Sequence, residues 1–137
     1  MENLWILLSL ATMLLWGLYG FFAKIAARSL RDVDAAIYQA VGVVLVAGVA
    51  AFFTRFQAGG KANGIIYAVI SGMCTALASF FFFGAITRGR TAVVVSMTAL
   101  YPLITLGLSV LFLHETLTPK NLVGVGLAVV AIVLLST

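Results

Sequence analysis

Charge is scarce in this sequence. Only 9% of its 137 residues are charged and 64% are hydrophobic, whereas soluble domains carry about a quarter charged residues. A soluble fold of this length leaves much of its surface exposed and has nowhere to hide so much apolar side chain. That excludes a water-soluble domain and points to a bilayer as the solvent.

Acids are the scarcest charges: Glu2, Asp32, Asp34 and Glu115 are the complete set, all near the ends of apolar runs. No paired carboxylate is available for general acid–base work, and no Ser-His-Asp set or phosphate loop is present. Cys74 is the single cysteine and His114 the single histidine. An intramolecular disulfide and a His/Cys metal cluster are therefore excluded, and Cys74 reads as a small packing residue. We expect no enzyme activity, no cofactor and no metal. The formal charge of +4 would raise nucleic acid as a partner for a soluble protein. Here the basic residues sit at the ends of runs without forming a stripe, so nucleic acid is not expected.

Long apolar runs are what the sequence has in abundance. Five are expected as helices, over residues 4–27, 35–53, 65–86, 91–113 and 119–136. At 1.5 Å per residue, about 20 residues cross a hydrocarbon core of roughly 30 Å. The expected fold class is all-α integral membrane: a five-transmembrane-helix bundle forming one domain over residues 1–137, with the lipid bilayer as its surroundings. Met1-Glu2-Asn3 lacks a basic n-region, and the run from Leu4 outlasts a signal h-region, so the first span reads as a retained helix. A loop rich in breakers from Arg55 to Gly64 and the turn Thr87-Arg88-Gly89-Arg90 separate the middle spans. Thr118 is placed to cap the last helix, with Pro119 in its first turn.

An odd number of spans puts the termini on opposite faces. Arg28, Arg31, Arg88 and Arg90 fall on one face, with Lys24 close to it, and Arg55, Lys61 and Lys120 fall on the other. This basic bias is too small to impose one orientation.

The candidate functional residues are polar, small or aromatic positions inside the spans. Thr98, Tyr101, Thr105 and Ser109 recur at helical spacing beside Pro102, a proline expected to kink the fourth span. They line a polar cavity or bond to nearby backbone; the two readings carry equal weight, and the kink tips Tyr101 toward the cavity. In the third span, Ala68, Ser71, Gly72, Thr75, Ala76 and Ser79 form a small-residue face, read first as close helix packing and second as substrate contact, with Thr75 and Ser79 as the contact candidates. In the first span, Trp16 and Tyr19 are candidate cavity walls, and Gly17 and Gly20 permit close backbone approach. Lys24 is read as snorkelling to the interface, or else as attracting an anionic substrate group. Glu115 is read as accepting from free amides at the start of the last helix. Gly124 and Ala128 make a small-xxx-small pair suited to helix association.

Taken in order, these residues resemble the EamA-type branch of the drug/metabolite transporter superfamily. The resemblance rests on Leu100-Tyr101-Pro102, then an apolar helix ending in Leu113-His114-Glu115-Thr116-Leu117-Thr118, then Gly124 and Gly126 in the last span. Trp16-Gly17 followed by Lys24 is similar to the family's first helix. Two departures stand out: Tyr38-Gln39 replaces an arginine that opens the second helix in many relatives, and His114 stands where glycine is common. Many relatives carry two five-helix repeats of opposite orientation, and this chain resembles the short, single-repeat members. The resemblance implies one half of an inverted-repeat transporter fold, completed by a second copy.

The expected function is secondary transport of a small metabolite or drug-like compound by alternating access, as a homodimer that is antiparallel and of dual topology. The expected location is a prokaryotic cytoplasmic (inner) membrane. Two other roles fit the same sequence: a non-transporting accessory membrane subunit, and half of a heterodimeric transporter or lipid flippase.

Overall fold

A computed structural model describes residues 4–56 and 59–136, without the side chain of Ser136. All regular structure among the described residues is helical: α1 (Leu4–Ala26), α2 (Asp32–Thr54), α3 (Ala62–Arg88), α4 (Thr91–Thr98), α5 (Tyr101–Leu113) and α6 (Pro119–Ser136). Four stretches are long and apolar enough to cross a membrane: α1, α2, α3 and the interrupted run Thr91–Leu113 formed by α4 and α5. The 18 residues of α6 rise about 27 Å, close to the thickness of a bilayer core. The all-helical membrane architecture expected from hydropathy is therefore the one observed, with α4 and α5 sharing one span.

The chain divides into two compact units, Met1–Arg88 and Gly89–Thr137. In the first, α1 and α2 both pack on α3. The buried residues are Gly20 and Ala23 of α1, Ala35 and Ala36 of α2, and Ser79, Phe83 and Ile86 of α3. Every one belongs to the end of α1, the start of α2 or the end of α3, which up-down-up threading brings to the same end of the unit. Small residues there let backbones approach closely, and Ile86 is fully enclosed. The α1–α2 connection is tight, with the Ala27 and Leu30 N–H groups donating to the Ala23 and Ala26 carbonyls at 2.9 Å. Asp32 and Asp34 lie inside the first turn of α2, where negative charge complements the helix dipole. That explains why α2 starts earlier than hydropathy alone suggests. At the other end of α2, Arg55 takes a left-handed conformation (φ 48°) that closes the helix.

In the second unit α4 packs on α6. The span from Thr91 to Leu113 breaks at Ala99 and Leu100, just before Pro102. Pro102 has no N–H to offer the Thr98 carbonyl, and its ring crowds that carbonyl. The backbone tightens in response: ψ is −3° at Ala99 and −11° at Leu100, flatter than the ordinary helical value of about −42°. Leu100 N–H donates to Met97 O at 3.2 Å and Leu103 N–H to Leu100 O at 3.0 Å, a three-residue spacing typical of 3₁₀ turns. The expected interruption thus sits one short turn ahead of the proline. α5 ends at His114, again left-handed (φ 54°).

Candidate functional site

In the first unit, three neutral polar side chains from three helices meet inside otherwise apolar spans. Tyr19 Oη donates to Gln39 Oε1 at 3.5 Å, a long bond, and Gln39 Nε2 donates to Ser79 Oγ at 3.0 Å. Ser79 Oγ in turn donates to the Thr75 carbonyl at 2.9 Å. The Tyr19 ring stacks on Phe82 with centroids 5.3 Å apart. Counted along the helices, Tyr19 and Gln39 lie about 10 Å, and Ser79 about 13 Å, from the helix ends at which they cluster. Polar groups at such depth are costly unless bonded to one another, so the junction both ties the helices together and offers hydrogen-bonding atoms where lipid offers none.

Lys24 lies nearer the same end. Its ammonium donates to the Ile86 carbonyl at 2.7 Å. That carbonyl belongs to the last turn of α3, whose final acceptors have no partner within the helix, and a cation there complements the dipole. The structure thus gives Lys24 a partner on another helix. Beyond it, Arg88 pairs with Asp32, and Arg31 pairs with Asp34 at 2.7 Å. The Asp34 hydrogen bond, and then its charge, hold the Arg31 guanidinium above its ordinary range.

The second unit holds an apolar cavity of about 210 Å³ beside the break, lined by Ala99, Leu100, Pro102 and Leu106 and by Ala128 and Ile132 of α6, among others. Pro102 and Ala128 therefore face one space. The hydroxyls of the same span do not line it. Thr98 Oγ1 donates to Val95 O at 3.0 Å and Thr105 Oγ1 to Tyr101 O at 3.4 Å, the local back-bonding open to any helical threonine. Tyr101 is 48% exposed.

Of the residues singled out in the sequence, Tyr19, Ser79 and the Thr75 backbone come together, with Gly20 buried alongside. The Thr75 hydroxyl itself donates to Ser71 O at 2.9 Å. Trp16 is 55% exposed. Gly17 and Gly124 each have room for a Cβ with no atom within 4 Å. Thr118 caps the last helix as expected: Asn121 N–H donates to Thr118 Oγ1 at 3.3 Å. Gln39 is the central residue that sequence reasoning did not place in a site. Its signal was an amide side chain inside an apolar run, at a position already marked as unusual.

Over residues 3–137 the chain matches the model of the EamA-like transporter family. It is 30% identical over 131 residues to an uncharacterized protein of Methanocaldococcus jannaschii, across 96% of this chain and 95% of that one. No solved structure matches it.

Proposed function

We infer a function from family membership: the chain belongs to the EamA-like transporter family, whose model spans residues 3–137. It is an integral membrane protein of a transporter family. The finer reading proposed here is secondary transport of a small metabolite or drug-like compound by alternating access. The transporting unit is a homodimer of oppositely oriented copies, in a prokaryotic cytoplasmic membrane.

The observation that carries this reading is the Tyr19–Gln39–Ser79 junction, a set of neutral hydrogen-bonding groups well inside spans that are otherwise apolar. A solute crossing such spans needs replacements for its bonds to water, and these groups can supply them. The break before Pro102 adds a point where a span can bend. Dimerisation is supported by open glycines: Gly17, Gly72 and Gly124 leave grooves with nothing within 4 Å of an added Cβ, of the kind another helix fills. The balanced basic residues allow both orientations.

Purified chain reconstituted in liposomes and assayed by solute counterflow tests the proposal. Flux above that of empty vesicles is expected, reduced by Gln39→Leu at unchanged folded yield. Absence of flux from correctly folded, dimeric protein would reject it.

A further inference from the structure

The hydrogen bonds of the Tyr19–Gln39–Ser79 junction all run one way. Tyr19 gives its only hydrogen to Gln39 Oε1, Gln39 gives an amide hydrogen to Ser79 Oγ, and Ser79 gives its only hydrogen to the Thr75 carbonyl. Thr75 turns its own hydroxyl to Ser71 O. The donors of the junction are thereby used up, apart from the second amide hydrogen of Gln39. The acceptors are not. Tyr19 Oη accepts nothing in this chain of bonds, and Gln39 Oε1 and Ser79 Oγ each accept once where two lone pairs are available. Ser79 also interacts with Tyr19. Turning its hydrogen that way moves one bond and still leaves acceptors in excess.

Placement decides what can use those lone pairs. The buried residues Gly20, Ala23, Ala35, Ala36, Phe83 and Ile86 all lie on one side of the junction. On the other side, α1 before Tyr19, α2 after Gln39 and α3 before Ser79 contain no buried residue among those described. The junction is thus the last packed layer before a stretch in which the three helices leave one another uncovered. Ser79 is buried, whereas Tyr19 and Gln39 are only half-buried and stand at the edge of that stretch. Lys24 lies on the packed side, more than a turn beyond Tyr19, where it is bound to the Ile86 carbonyl. A solute arriving from the open side meets oxygens with unused lone pairs and a single N–H. Where no water completes the bonding, those oxygens are matched by O–H or N–H groups, and a further acceptor set against them stays unsatisfied.

We propose that the junction selects the transported solute as a hydrogen-bond donor, a small molecule bearing hydroxyl or amine hydrogens engaged by Tyr19 Oη and Gln39 Oε1, and that solutes with acceptors alone are refused. The inference rests on the transport reading above and adds its substrate class.

The test uses the full chain in liposomes at neutral pH, with counterflow of radiolabelled erythritol and putrescine as donors and of glycine betaine and succinate as solutes with acceptors alone. Exchange of at least one donor solute and of neither acceptor solute is expected, and the two donors separate hydroxyl from ammonium recognition. Ser79→Ala removes an acceptor and frees a Gln39 amide hydrogen, which reverses the balance of the junction. It should weaken apparent affinity for the donor solute by about two- to tenfold, the range for one neutral hydrogen bond, and glycine betaine or succinate should begin to compete. Gln39→Leu removes the central oxygen and frees the Tyr19 hydrogen. It should shift the preference the same way and carries the test if Ser79→Ala does not fold. A purely structural role would lower yield or maximal rate and leave the preference between solutes unchanged. Exchange of acceptor solutes as readily as donors, or without them, would overturn the inference and leave the transport reading standing. So would a donor preference unchanged in both folded variants. Absence of exchange for every solute would overturn both.

Discussion

Asp32, the first residue of α2, is bound to Arg88, the last residue of α3: Arg88 Nη1 lies 2.5 Å from Asp32 Oδ2 and 2.6 Å from the carbonyl of Gly84. The third member explains the geometry. A Cβ on Gly84 would sit 3.4 Å from Arg88 Nη1 and 3.5 Å from Asp32 Oδ2, so a methyl just fits and anything larger pushes the pair apart. Each charge also stands at the helix end whose dipole it complements.

Separating pairing from dipole effects is possible by exchanging the charges. Asp32→Arg or Arg88→Asp alone should lower the melting temperature in detergent, and the loss should shrink in high salt because the pair is solvent-exposed. The double exchange restores the pair but puts both charges at the wrong helix ends. Partial recovery is therefore expected; full recovery would show that the dipole contributes nothing. Gly84→Ala should be close to neutral and Gly84→Leu should match the single-charge losses.

Pro102→Ala returns an N–H to the Thr98 carbonyl and should join α4 and α5 into one continuous helix. Restoring the bond is worth about 1 kcal/mol, so thermal stability should rise while counterflow falls. Transport that is unchanged at normal yield would show that the break is not needed for movement.

His114 occupies a left-handed conformation (φ 54°) that costs a side chain about 1 kcal/mol relative to glycine. His114→Gly should therefore stabilise the protein by about 0.5–1 kcal/mol with transport intact, read from thermal unfolding in detergent. This gives a physical reason why the family resemblance leads one to expect a glycine here. A valine there should destabilise.

Orientation can be read by labelling. A single cysteine at Gly59 in a Cys74→Ser background, exposed to an impermeant thiol reagent in cells and in inverted vesicles, should react substantially from each side if the chain inserts both ways. One-sided labelling would reject the antiparallel dimer. Added lysines on the Arg28 face should skew the labelled fractions and lower transport, since one orientation then runs short.

The spans were legible because hydropathy over 20 residues is a local property, and so was the interruption near Pro102, which follows from one missing N–H. The site was only half legible. Tyr19 and Ser79 were recognisable as polar residues in apolar surroundings. Gln39, which joins them, was noted only as an odd residue, because its partner lies on another helix and no spacing rule links the two. Thr98 and Thr105 had the right period for a polar face, but a threonine in a helix can always turn to the carbonyl one turn back, and sequence does not say which it does. Lys24 posed the same difficulty: snorkelling is a matter of distance along its own helix, whereas the Ile86 carbonyl it meets is supplied by tertiary packing.

The uneven burial in residues 1–88 has a mechanical consequence. All the side chains that lock α1, α2 and α3 together, from Tyr19 and Gln39 to Asp32 and Arg88, gather at one end, and no described residue is buried toward Leu4, Thr54 and Ala62. The three helices behave as tongs riveted at one end. From Gly20 to Leu4 the lever arm of α1 is about 24 Å, so a tilt of roughly 10° about the rivet, a hinge motion of the kind that gates transporters, sweeps the free tip through about 4 Å.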